Sequence, residues 1–202
     1  MPILDLSHPM TNGQPSYPGD PPLVIAPHNT IAEDGYNLTR LEMGSHQGTH
    51  LDAPYHFDED GLTLDRMPLE WFYGPASMID LAPGGCLPAG TELTAEMFRP
   101  FEGLFAPGAR ILYRTGWDRW FGQAAFFEDF PSLTPDAVRW IAAHQISLLG
   151  MDTPSPSVEA VYSHGVLLAK GNETVIVESL TNLDRLPAQF IFMAFPLNLV
   201  GR

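Results

Sequence analysis

Seven short apolar runs bounded by turn residues punctuate the chain: ILDL (3–6), LTRLEM (38–43), ASMIDL (76–81), ARILYR (109–114), ISLLGM (146–151), TVIVES (174–179) and FIFMAF (190–195). Their length and their β-branched and aromatic content predict strands. Helical signals are fewer. They fall at 94–98, at 134–144, where Thr134 caps and Pro135 takes the first turn, and in a short piece after Ser163. Several strands precede the better helices, which predicts an α/β or α+β single domain around a mixed sheet. Prolines leave two irregular arms, at 8–30 and 116–135.

Composition narrows the class. The 202 residues favour one domain over 1–202, and 45% apolar with 17% charged residues describes a folded chain. Twenty prolines and 18 glycines point to shaped loops, where sites are built. A formal charge of −14 repels phosphate backbones and anionic membranes, so neither nucleic acid nor membrane is expected as a partner. Cys86 has no second cysteine to pair with in the chain, and no stretch of about 18 apolar residues occurs, so a cytoplasmic protein is expected.

The chemistry concentrates in SHQGTHLDAPYHF, residues 45–57, where His46, His50, Asp52 and His56 fall within eleven residues. Gly48 and Pro54 argue against a helix through them. In an extended chain His50 and Asp52 share a face about 6.6 Å apart, close enough for both side chains to reach one ion. A straight chain would put His46 roughly 13 Å from His50, so a bend is expected near Gly48, where no Cβ opposes it. Pro54 stiffens the run to His56, again roughly 13 Å from Asp52 if the chain does not curl back. His56 then binds a second ion or, the preferred assignment, stays free as a general base with a pKa near neutrality. Imidazole with carboxylate suits zinc, manganese, iron or cobalt.

Further donors are available in SHGVLLAKGNETVIVESLTNL, where His164 opens a short predicted helix and Glu178 ends an apolar strand. Glu178 shares a face with Thr174 and Ile176, which carries its carboxylate toward buried surroundings and calls for a cation or strong donors. Other nucleophiles fare worse. Cys86 lacks a nearby histidine or basic residue, no GxSxG elbow is present, and PGGCLPAG lacks the lysine and helix of a phosphate cradle.

Taken in order, DLSHPM with YPGDPP, the histidine segment, RTGW (114–117), GMDTPS (150–155) and the His164 segment resemble the cyclase-like family of metal-dependent hydrolases that includes bacterial kynurenine formamidase and isatin hydrolase. The resemblance implies a swivelling β/β/α domain, an α/β fold with helices flanking a mixed sheet. It implies that His46, His50 and Asp52 hold a first divalent ion, that Asp52 and Glu178 bridge to a second held by His164, and that His56 is the acid/base. Zinc is the first expectation for the metal and manganese the second, with one or two ions per chain. Tyr17 stands where formamidases have a tryptophan that contacts the aromatic substrate. The interval from His164 to Glu178 is two residues longer than the formamidase pattern, which makes Glu173 a rival to Glu178, and Ser157 stands where relatives often carry an aspartate. Relatives of this kind also imply a homodimer or homotetramer.

Three functions follow as expectations. The first is hydrolysis of an aryl formamide such as N-formylkynurenine. The second applies the same chemistry to an isatin-like cyclic amide or imide, or to a lactone. The third is a non-catalytic metal or small-ligand binding protein. Tyr17, Phe57, Trp71 and Trp117 are candidates to flank a planar substrate.

Overall fold

A computed structural model describes residues 3–172 and 174–201. In chain order the strands are β1 (Val24–Asn29), β2 (Leu38–Glu42), β3 (His50–Asp52), β4 (Tyr73–Asp80), β5 (Glu92–Leu93), β6 (Arg110–Arg114), β7 (Ser132–Leu133), β8 (Leu148–Met151), β9 (Val175–Glu178) and β10 (Gln189–Met193). The helices are α1 (Ile31–Asp34), α2 (Ala95–Phe98), α3 (Pro135–Ala143) and α4 (Ala160–Leu167). Six strands form one mixed sheet in the order β10-β4-β6-β8-β9-β3. The inner four run parallel, while β10 and β3 close the edges antiparallel.

Alternation along the inner strands divides the core in two. Ile111, Tyr113, Leu149, Met151 and Ile176 point to the face covered by α2, α3 and α4, where Ala137, Val138 and Ile141 of α3 are buried. Leu112, Leu148, Val175 and Val177 point to the other face, against Phe72, Met67 and Phe192. Continuous apolar runs suit strands covered on both sides. Gly150 also faces this second layer, and a Cβ there would stand 2.8 Å from Leu112 Cγ, so only glycine lets the layer close.

Six of the seven apolar runs form strands, and the α/β fold is as expected. The run at 3–6 does not. It lies as an irregular segment along the loop after β9, held where the Thr181 amide donates to Leu6 O at 2.9 Å and the Asn182 side chain to Asp5 O at 3.0 Å. The arm at 8–30 is irregular only up to β1. The helix expected after Ser163 begins at Ala160, so His164 sits inside α4 and does not open it. Sequence missed this start because no side-chain hydrogen bond caps the helix. Instead the Ser157 hydroxyl accepts the Glu159 amide at 3.2 Å, just ahead of its first turn.

Candidate metal centre

β3 is three residues long, and its pairing with β9 does most of the assembly. His50 stands directly opposite Glu178, and Asp52 opposite Ile176. Side chains at i and i+2 share a face, so His50, Asp52 and Glu178 all project toward the layer that contains α4. α4 lies over them and brings His164, which is buried, from above.

His50 Nε2 lies 3.4 Å from Asp52 Oδ1 and 3.3 Å from Glu178 Oε2. His164 Nε2 lies 3.3 Å from Asp52 Oδ2 and 3.2 Å from Glu178 Oε1. The other ring nitrogens are occupied: His50 Nδ1 donates to Gly48 O and His164 Nδ1 to Ala160 O, each at 2.8 Å. A carbonyl only accepts, so Nδ1 carries the ring's first proton, and each Nε2 faces carboxylate oxygens that also only accept. A lone pair facing a carboxylate needs a proton or a cation between them.

The chain bends at Gly48, with φ +67°, and His46 Nδ1 ends 2.9 Å from Asp52 Oδ1. Beyond Asp52 the chain does not run straight. Ala53 is extended, as a residue before proline should be, but Pro54–His56 then forms a tight 3₁₀ turn. That turn overturns the spacing argument, because it carries His56 back onto His46, with rings stacked at 4.0 Å. Ligand atoms of His46, Asp52 and His56 all lie within 4.8 Å of one another, and so do those of His50, Asp52 and Glu178. Asp52 belongs to both groups. His46 and His50 both approach the same oxygen, Asp52 Oδ1, and His50 also reaches Glu178 Oε2.

The residues fit a divalent ion. Donors bound at 2.0–2.1 Å in a tetrahedral zinc site stand roughly 3.3 Å from one another, close to the separations between His50, His164, Asp52 and Glu178. None of the approaches to Asp52 is aligned as a hydrogen bond, so both its oxygens and His50 Nε2 are buried without a partner. Buried polar groups without partners are rare and costly, and a cation between them satisfies all three.

The charges point the same way. Burial opposes a charge on His50, but Asp52, and then Glu178, outweigh it and hold its imidazolium well above the usual range. His164 is treated likewise and is pushed up to about 10. Asp52 is raised by burial but held well below the carboxylate range by the charge on His50 and the close nitrogens of His164, His46 and His50. His56 behaves differently. Burial lowers it to about 4; Asp52 pulls it back up, while His46 and His164 add to the fall. It is partly open to solvent yet hemmed in by the rings of His46, Phe57 and His164. The expected pKa near neutrality is thus corrected downward. His56 is neutral at pH 7, with a free lone pair.

Among the proposed aromatic flanks, Phe57 stacks on His164 at 4.8 Å, and Tyr17 meets Phe127 edge-on at 5.8 Å. Burial raises the Tyr17 hydroxyl, and the charges of Glu178 and Asp20 raise it further. Trp117 is core: it is buried and its indole donates to Phe126 O at 2.9 Å. Trp71 packs against the second core layer. Glu173, the rival to Glu178, lies outside the described residues. On one side the centre opens into a cavity of about 1460 Å³, lined by His46, His50, Asp52 and His56 and by apolar residues such as Met10, Met43, Phe190 and Phe195. Sequence reasoning passed over Gln47 and Ser16. Their side chains meet at 2.6 Å, and the position of Gln47 between glycine and a candidate ligand was the available signal.

Residues 4–158 match the Cyclase family model. The chain belongs to the cyclase-like family of metal-dependent hydrolases. Solved structures agree over nearly the whole length of this family member. It is 25% identical to isatin hydrolase A from Labrenzia aggregata, with a TM-score of 0.83, covering 97% of this chain and 87% of that one. It is also 25% identical to isatin hydrolase A from Ralstonia solanacearum, with a TM-score of 0.84 and coverage of 98% and 86%. A protein described as a predicted metal-dependent hydrolase from Bacillus stearothermophilus is 26% identical, with a TM-score of 0.78 and coverage of 98% and 92%. Among the described residues, no helix is long and apolar enough to cross a membrane.

Proposed function

We propose that this cyclase-family protein hydrolyses the C–N bond of a small aryl amide, with His46, His50, Asp52, His164 and Glu178 holding metal and His56 moving the proton. The observation that carries the reading is the pairing of buried, unpartnered donors on Asp52 and His50 with a neutral imidazole beside them. A divalent ion held by these residues, zinc or manganese, would lower the pKa of bound water toward about 7 and polarise a carbonyl oxygen. His56, stacked on His46 and facing the same pocket, accepts the proton of the attacking water and returns it to the leaving nitrogen. Tyr17 and Phe57 hold the aryl ring between them and the centre.

The substrate is an aryl formamide such as N-formylkynurenine, or an isatin-like cyclic amide. The second reading is favoured by the two isatin hydrolases among the similar structures; both substrates present a C–N bond beside an aromatic ring. Purified protein reloaded with zinc or with manganese, assayed on N-formylkynurenine, isatin and a simple lactone, decides between them. Turnover of none of these would favour the non-catalytic binding protein.

The active unit is proposed to be a homo-oligomer. β1 and β2 form a separate two-stranded ribbon, with every residue of β2 exposed and Ile31, Tyr36, Leu38 and Leu41 in solvent. An isolated two-stranded ribbon is marginal in water and gains stability by covering its apolar side. The open cavity exceeds the ~300–1,000 Å³ that a small ligand fills, leaving room for such a ribbon from a second copy. Light scattering tests this: Leu38→Lys with Leu41→Lys is expected to yield monomers, and a wild type that is itself monomeric removes the proposal.

A further inference from the structure

The segment at 8–20 has no regular structure, yet it meets the turn that carries His46 and His50 at several points along its length. At its start the His8 amide donates to Thr49 Oγ1 at 3.0 Å, and the His8 ring stacks on Phe121 at 3.8 Å. Next, Met10 lies against Gly48, close enough that a Cβ on that glycine would touch its Cγ at 3.5 Å. Near its end the Ser16 hydroxyl donates to Gln47 Oε1 at 2.6 Å. One residue later comes Tyr17, whose carbonyl closes a turn by accepting the Asp20 amide at 3.0 Å. The segment therefore straps across the metal-centre turn, and its aromatic residue hangs beside the last tie.

Of these ties, the one nearest Tyr17 is made by a side chain well suited to hold position. Gln47 is only 7% exposed, follows His46 directly and lines the cavity beside the centre. A buried amide with a short hydrogen bond is worth far more as an anchor than an exposed one, because water does not compete for the acceptor. Among the described residues, no other side-chain hydrogen bond ties residues 15–20 to the body of the protein; the Tyr17 ring meets Phe127 edge-on.

We infer that Gln47 is a positioning residue: by accepting the Ser16 hydroxyl it holds the 13–20 strap, and with it the Tyr17 ring, beside the metal centre, and so sets how tightly the aryl part of a substrate is held. The inference rests on the aryl-amide reading for its kinetic consequence, but the link between Gln47 and the strap is independent of it. Gln47 acts through Tyr17, so its loss weakens binding more than the chemical step.

The test uses full-length protein loaded with zinc or manganese, in three forms besides wild type: Gln47→Leu, Ser16→Ala and the double variant. Kinetics are measured on whichever of N-formylkynurenine and isatin the wild type turns over, with bound metal by mass spectrometry and hydrogen exchange over residues 13–20. Each single variant is expected to raise KM about 5- to 10-fold with kcat within about twofold, to lose exchange protection at 13–20 and to keep its metal. The double variant should be no worse than the worse single one, because both remove one bond. Unchanged KM and unchanged protection overturn the inference. So does a fall in kcat or in bound metal with KM unchanged, which would make Gln47 a support for His46 alone. If wild type turns over neither compound, the aryl-amide reading fails, and exchange with metal content still decides whether Gln47 holds the strap.

Discussion

Asp52 at the β3 edge and Asp152 at the end of β8 are both fully buried carboxylates, and the fold treats them in opposite ways. Asp152 is surrounded by donors. The Thr115 amide reaches both its oxygens at 2.9 and 3.0 Å, the Thr115 hydroxyl donates at 2.7 Å, and the Gly116 amide at 2.6 Å. Burial still pushes its carboxyl up, to about 6, against those hydrogen bonds. It is a clamp between the ends of β6 and β8. Asp52 has only imidazole nitrogens around it, none aligned, and both its oxygens lack a partner. A carboxylate satisfied by backbone donors holds structure; one left facing lone pairs holds a cation.

The sharpest break between the two comes from removing them. Asp52→Ala should bring bound metal to background in mass spectrometry and turnover below detection, because it takes a donor from both ligand groups at once. Full metal occupancy in that variant would refute the ligand set. His56→Ala comes next: kcat is expected to fall about 10²- to 10⁴-fold with metal retained, the range a general base contributes. Metal lost along with activity would move His56 among the ligands, as its position within 4.8 Å of His46 and Asp52 permits.

Removing the metal should expose the charge balance at Asp52. Without an ion, protons on His50 and His164 hold the carboxylates together, and His164 is raised from 6.5 to about 10. The folded state then binds more protons than the unfolded chain across that window, so metal-free stability is full below pH 6.5 and declines as pH rises toward 10. Urea denaturation of chelator-treated protein is expected to show this fall, and metal-loaded protein to show less of it. Equal slopes with and without metal would contradict the cation reading.

The smallest effect belongs to Asp152. Asp152→Asn turns an NH₂ toward N–H donors and should cost about 1–3 kcal/mol at pH 7 with bound metal unchanged. Its raised pKa gives a second signature: wild-type stability should lose ground to the variant as pH rises from 3.8 to about 6, by about 3 kcal/mol if the shift acts alone. Urea midpoints across that range measure it, and parallel curves would show that Asp152 carries no such shift.

Much of this was legible in the chain. The apolar runs at 76–81, 109–114, 146–151 and 174–179 marked the inner strands, because strands covered on both faces must be apolar throughout. The histidine block and Glu178 could be named because imidazole and carboxylate at i and i+2 share a face whatever the rest of the fold does. Gly48 announced its bend for a similarly local reason. Run 3–6 misled because apolar alternation does not reveal whether a neighbouring strand is available. The start of α4 was missed because Ser157 supports it from outside the helix.

What the sequence by itself determined was local: which residues carry ligand chemistry, where the backbone turns, and which side chains share a face. Tertiary structure decided what no spacing argument could reach. The register of β3 on β9 set His50 opposite Glu178, α4 laid His164 over them, and the turn at Pro54–His56 folded His56 back onto His46. These are contacts between segments up to 128 positions apart, as from His50 to Glu178. Such contacts depend on how two layers of core pack about the sheet, and that packing is settled only when all the strands are in place.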